Sequence, residues 1–331
     1  SAATSSAAAL TSSAAAPYSA DNNAPPPCPR SKNPLAVVLG GSSGIGRAFG
    51  RALFVRGFDV LLVARTDTTL QAAAKQCMEK EEEEEEGNAK GRTNTVSWFP
   101  ADCSSASSCD KLVSHIRGGS AVALMVNCAG DFRWDSAAQD SLPRGTRNVS
   151  QYLFRSNLAT KRTACKLLMP LMASGSTTPD DGGTVVIVGS AAGAPGFKEA
   201  VEAREGKGAV DDEKAYIACM TQVRLFAEKL RAGGPLGNKK RTNNSNSSQK
   251  TEKKEEAAAA VAMSGAQQQT CNSRRVVLLE PGMVNTAMAR REFSKLGIDW
   301  HTIPTPDVYV ESVIQECLVD TYRRGGEDTY S

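Results

Sequence analysis

The chain has 331 residues, of which 39 are basic and 36 acidic, and this near balance gives no field for a nucleic acid to follow. Forty per cent hydrophobic residues suffice for a sizeable core, and the length suits one large α/β domain. Two histidines leave almost no material for a histidine-based metal site or a Ser-His-Asp triad, so no metal site is expected. Nine cysteines without a C-x-x-C spacing read as free thiols of a reducing, intracellular compartment.

Residues 1–33 are rich in Ala, Ser and Pro and read as a flexible tail, closed by the stiff Pro25-Pro26-Pro27 and Pro29 linker. The Ala/Ser-rich start, with Arg30 as its first arginine, resembles a processed end, which fits a mitochondrion, with association with the endoplasmic reticulum as the alternative. No apolar run reaches the roughly 18 residues of a membrane span. Folded structure is expected over 34–331.

Six apolar runs then follow in order: Leu35–Leu39, Val60–Ala64, Thr95–Phe99, Val122–Val126, Thr184–Val188 and Arg275–Leu279. They are continuous rather than alternating, so both faces of each strand are buried. With helical patterns between them they predict an α/β, single-domain Rossmann fold, a doubly wound parallel sheet with helices on both faces. Three low-complexity segments, near 80–92, 198–212 and 234–273, read as insertions in surface loops, whose entropic cost grows slowly with length.

The first strand runs into Gly40-Gly41-Ser42-Ser43-Gly44-Ile45-Gly46, and Ile45, Phe49, Ala52 and Leu53 continue at helical spacing. Strand, glycine turn and helix in this order form a dinucleotide site: Gly40 allows the tight turn, Gly44 lets backbone amides approach a pyrophosphate, and Gly46 permits close helix packing. Ser42, Ser43 and Ile45 complete the loop. The second strand ends at Ala64-Arg65, without the carboxylate that would take the adenosine ribose of NAD. A guanidinium there suits the 2′-phosphate of NADP(H), with Arg47 as a second donor.

With these features the sequence resembles the short-chain dehydrogenase/reductase family. The resemblance carries further positions in family order: Asp102 for adenine, Asn127-Cys128-Ala129-Gly130 after the fourth strand, and Pro281-Gly282-Met283-Val284-Asn285-Thr286 around the nicotinamide. It also implies Asn157, Ser190 and Tyr216 as catalytic residues, in which Tyr supplies a proton, Ser orients the carbonyl and Asn supports a water relay. Ile303-Pro304-Thr305-Pro306-Asp307-Val308-Tyr309-Val310 is similar to the very-long-chain ketoacyl-CoA reductase and hydroxysteroid dehydrogenase branch, which implies a lipid-like substrate.

Three departures stand against the pattern. Met220 occupies the place of the family's lysine four residues after the tyrosine, Leu39 replaces the threonine before the glycine turn, and Ser190 lies 26 positions before Tyr216, about twice the family's spacing. A free tyrosine has a pKa of about 10, which a nearby cation lowers by ~1 to 3 units, and a thioether does neither. Two readings result. One is an NADP(H)-dependent reductase of a ketone on a lipid-like small molecule, with impaired turnover. The other is an inactive structural subunit of a larger, mitochondrial assembly that keeps the fold and the nucleotide. Self-association accords with either reading, a nucleic-acid partner with neither. The substrate pocket is expected between segments near Asp131 to Ser150 and Ala287 to Thr305.

Overall fold

Along β1 (Leu35–Leu39) successive side chains leave the sheet on opposite sides, and every one of them is buried. Leu35, Val37 and Leu39 enter one core cluster, while Ala36 and Val38 enter the other. The twofold alternation of a strand therefore feeds two cores at once, which is what a sheet covered on both faces requires.

The computed structural model describes residues 33–79, 93–119, 121–132, 148–172, 182–197, 211–233, 274–293 and 297–317, together with 26, 28, 29 and 199. Most of the expected tail, the insertions near 80–92 and 234–273, and nearly all of that near 198–212 lie outside them. At the far end of the segment near 198–212, Asp211 and Asp212 begin the long helix that follows.

The remaining strands are β2 (Asp59–Ala64), β3 (Val96–Pro100), β4 (Val122–Asn127), β5 (Gly182–Val188) and β6 (Arg274–Leu279). They form a six-stranded sheet in the order β3-β2-β1-β4-β5-β6, with parallel pairing throughout. The apolar runs locate every strand to within two residues. β2 starts one residue early because the buried Asp59 carboxylate accepts from the backbone N–H and the hydroxyl of Thr95 (2.8 and 3.1 Å). β3 ends on Pro100, tolerated because this strand is the sheet edge.

The helices are α1 (Gly44–Val55), α2 (Asp67–Glu79), α3 (Ala106–Arg117), α4 (Val149–Leu153), α5 (Thr160–Leu168), α6 (Asp211–Arg231), α7 (Ala287–Glu292) and α8 (Pro306–Cys317). A π-helical turn, Phe154–Ala159, joins α4 to α5. One core takes Leu112 of α3, Cys165 of α5 and Val223 of α6; the other takes Phe49 of α1, Leu70 of α2 and Val313 of α8. Among the described residues no helix is long and apolar enough to cross a membrane.

β1 lies between β2 and β4, so the chain reverses its direction of winding there. Clefts of open parallel sheets form at the carboxyl ends of such a pair. The clearance is small. Gly40 has φ +80°, and a Cβ on it would lie 2.8 Å from the Ala129 backbone nitrogen beyond β4. A Cβ on Gly46 would lie 2.2 Å from the Gly40 carbonyl oxygen, so α1 can start against the turn only without a side chain there. Gly46→Ala is expected to destabilise the fold by about 1–3 kcal/mol, the usual range for a forced overpacking, with equilibrium urea unfolding as the check.

Candidate active site

α1 begins at Ser43, an extended N-cap residue whose side chain makes no capping hydrogen bond, and its first turn contains no acidic residue. The first amides of the helix thus lack side-chain partners at the positive end of its dipole, a natural seat for an anion. The preceding turn is rigid, because the Gly40 and Gly41 amides both donate to the Val63 carbonyl of β2 (2.7 and 3.2 Å). A cradle closed to Cβ atoms beneath an uncapped helix end fits the pyrophosphate of a dinucleotide.

The turn forms the floor of a cavity of about 1200 Å³, lined there by Gly40, Ser42, Ser43, Gly44, Ile45 and Gly46. Arg65 and Asp102, beyond β2 and β3, line the side expected to take the adenosine. Arg65 is exposed, whereas the Asp102 carboxylate accepts from the Ser104 amide and hydroxyl (2.9 and 2.7 Å). Ala129 and Gly130 line the cavity beyond β4; Pro281, Gly282 and Thr286 line it beyond β6. Thr286 approaches the turn itself, its Cγ2 lying 3.4 Å from where a Gly44 Cβ would stand.

Two expected contributors lie elsewhere. Arg47 donates to Gln76 on α2 (2.5 Å) and is not part of the cavity wall. Asn127 is fully buried at the end of β4 and does not line the cavity either, because β4 extends one residue further than its apolar run and carries that side chain into the interior. Its neighbours Cys128 to Gly130 form the wall instead.

At the other end of the cavity stand Ser190, Tyr216 and Asn157. Ser190 follows β5, and its oxygen accepts from the Ala192 amide (3.3 Å), which holds the side chain at the start of a short 3-10 turn, Ala191–Gly193. Tyr216 projects from α6, and its ring meets that of Phe132 edge to face at 4.4 Å. Its phenol is hydrogen-bonded with Ser190, so the long spacing between the two in sequence does not separate them. Burial pushes the Tyr216 phenol up to about 12, against the lowering effect of that hydrogen bond.

Asn157 lies in the π-turn, where the wider helical repeat turns it towards β4. Its amide nitrogen donates to the Asp131 and Leu153 carbonyls (2.8 and 3.0 Å), and its oxygen accepts from the Asp131 amide (3.2 Å). The side chain therefore braces the loop after β4. Asp131 also accepts from the Tyr152 hydroxyl and lies 3.5 Å from the Arg291 guanidinium.

Met220 lines the cavity one turn beyond Tyr216 and is 3% exposed. Its backbone packs on the 3-10 turn, where a Cβ on Gly193 would lie 2.7 Å from the Met220 carbonyl oxygen. Sequence reasoning missed a different cation on the same wall, Lys161 of α5, which is 2% exposed and donates to the Ala129 carbonyl at 2.6 Å. The signal was its position four residues after Asn157, on the same helical face. Also missed was the apolar Phe197, which lines the cavity and is exposed, as are Met283 and Met288 from the segments expected around the nicotinamide and the substrate. Among the described residues no group of three or more His, Cys, Asp or Glu is placed to hold a metal.

Two curated proteins share a short stretch with this chain. The very-long-chain 3-oxoacyl-CoA reductase of Yarrowia lipolytica is 47% identical over 45 residues, 14% of this chain and 12% of that protein. A Caenorhabditis elegans protein named "Putative steroid dehydrogenase 3" is 44% identical over 45 residues, 14% of each. The matches thus span about an eighth of those relatives. Among solved structures, an alcohol dehydrogenase of the archaeon Thermococcus sibiricus, complexed with 5-hydroxy-NADP, superposes with a TM-score of 0.54 at 18% identity, covering 85% of this chain and 89% of its own. A short chain dehydrogenase of Escherichia coli CFT073 complexed with NADPH gives 0.53 at 17% identity, covering 86% and 88%. A β-ketoacyl-[ACP] reductase of Bacteroides thetaiotaomicron gives 0.53 at 18% identity, covering 88% and 92%. These likenesses establish the fold. The sequence model of the family described as short chain dehydrogenase matches residues 34–211, more than half of the chain, and the protein belongs to that family.

Proposed function

We propose that this chain reduces the ketone of an apolar, lipid-like substrate with NADPH. The observation that carries the reading is the meeting of Tyr216 and Ser190 on the wall of the cavity whose floor is the glycine turn. A proton donor and the seat of a dinucleotide thus share one space. The bound dinucleotide would supply a hydride to the carbonyl carbon. Ser190 orients the carbonyl oxygen by hydrogen bonding, and Tyr216 delivers the proton that the oxygen takes up. Asn157 keeps the loop after β4 in place beside them.

The phosphate preference rests on Arg65, an exposed guanidinium on the adenosine side of the cavity with no carboxylate beside it in sequence. The NADP-type ligands of the Thermococcus and Escherichia coli structures support it. Exposed Phe197, Met283 and Met288 on the wall support an apolar substrate, as do the short matches to a 3-oxoacyl-CoA reductase and a steroid dehydrogenase.

The direction of the reaction follows from Tyr216. A phenol pushed up to about 12 keeps its proton throughout the neutral range, so it is available as an acid and poor as a base. Reduction is favoured over oxidation. Met220 places no charge one turn beyond the phenol, and turnover is accordingly slow. The same methionine favours a second reading, a chain that keeps the fold and the nucleotide within a larger assembly and performs no reduction.

Three outcomes check the proposal. Arg65→Ala is expected to weaken NADPH binding roughly 10-fold, the value of one charge-assisted hydrogen bond, while NADH binding changes little, as read by NAD(P)H fluorescence titration. Tyr216→Phe is expected to lower ketone reduction by ~10² to 10⁴ without weakening NADPH binding. At saturating NADPH the reduction rate of the unmodified chain should stay flat from pH 6 to 9, since the acid form of Tyr216 persists below about 12. Tight NADPH binding with no reduction of medium- or long-chain ketones, at any pH, would leave the non-catalytic reading in its place.

A further inference from the structure

Lys161 carries a charge into the interior at a place where the fold itself has little use for it. Its residue is 2% exposed, in the core face of α5, and its ammonium donates to the Ala129 carbonyl at 2.6 Å. Among the described residues no carboxylate forms an ion pair with it. Burying an unpaired ammonium is expensive, and a neutral donor would serve one backbone carbonyl as well. Such a charge is more readily explained by a ligand than by the fold.

The position of the ammonium identifies which part of a ligand it meets. Ala129, its acceptor, is also the residue against which Gly40 packs, since a Gly40 Cβ would lie 2.8 Å from the Ala129 nitrogen. On the other side, a Cβ on Gly130 would lie 2.4 Å from Asn157 Oδ1 and 3.6 Å from Lys161 Nζ. The ammonium therefore sits behind the loop that meets the anion-binding turn, on the wall of the cavity that Ser190 and Tyr216 also line. One of its three N–H donors is used by Ala129, which leaves two for hydroxyl oxygens.

We propose that Lys161 is a second cofactor-binding cation of this chain beside Arg65, donating to the hydroxyls of the ribose that joins the pyrophosphate to the nicotinamide and compensating for the uncharged Met220. This inference rests on the NADPH reading above. It deepens it by assigning the missing positive charge to α5 rather than α6.

The groups around the ammonium make its charge testable. Cys128 after β4, Cys165 on α5 and Cys219 on α6 are the thiols facing it, and burial pushes them up to about 12, 12 and 11, so all are neutral at pH 7. Tyr216 on α6 is likewise protonated, and Asp131 in the loop after β4 is engaged by Tyr152 and Arg291. Lys161 itself is lowered to about 8 by burial. Its ammonium is raised in population below that value and lost as pH rises through it, so affinity that depends on it falls over the same window.

The experiment is a fluorescence titration of the full-length apo chain with NADPH between pH 6.5 and 9.5, with calorimetric unfolding of each protein without cofactor. The unmodified chain is expected to lose roughly 10-fold in affinity as pH passes about 8. Lys161→Met is expected to bind roughly 10-fold more weakly at pH 7, without that pH step, while unfolding at the same or a higher temperature, because a buried charge has been removed. Met220→Lys in the Lys161→Met background is expected to restore affinity. If Lys161→Met binds NADPH as the unmodified chain does, or merely unfolds at a lower temperature with affinity and its pH dependence intact, Lys161 is a brace for Ala129 and the inference is overturned. Failure of the unmodified chain to bind NADPH at any pH would instead overturn the function proposed above.

Discussion

The close approach of the carboxyl ends of β1 and β4 is the constraint on which the rest of the site depends. Gly40 has no room for a Cβ because Ala129 is there, and Gly46 has none because Gly40 is there. These two contacts bring α1 down onto the turn and set its uncapped first amides at the mouth of the cleft. They also fix Ala129, whose carbonyl takes the Lys161 ammonium. Anion seat, cation and cleft therefore share one backbone junction.

Around that junction, burial acts in opposite senses on the titrating groups. It raises the Tyr216 phenol and the neighbouring thiols and lowers the Lys161 ammonium, because in each case it penalises the charged form. The outcome at neutral pH is an uncharged acid beside a site that still holds one buried cation. A phenol in that state keeps its proton throughout the neutral range. Met220, packed against the turn at Gly193, contributes shape and no charge.

The π-turn between α4 and α5 has a similar positioning role. Its wider repeat lets the Asn157 amide bond the backbone of Asp131 in both directions, and one turn later it sets Lys161 facing the same loop. Asp131 in turn ties that loop to α4 through Tyr152 and to α7 through Arg291. The wall of the cavity is thus held from three helices, although it is built from a short loop.

Much of this protein was legible from residues alone. Six continuous apolar runs located six buried strands, since a strand covered on both faces has no polar side to interrupt it. The glycine turn was legible because only residues without a Cβ tolerate its conformation and contacts, and Ser190 and Tyr216 were recognisable by motif. What sequence could not decide was which way side chains face once helices pack on the sheet. Arg47 turned to Gln76, Asn127 turned inward with the last residue of β4, and Lys161, one lysine among many in the chain, entered the core. A linear motif specifies residue types at spacings along one element. Whether a charge is solvated or buried is set by neighbours far away in sequence, and tertiary structure alone brings those together.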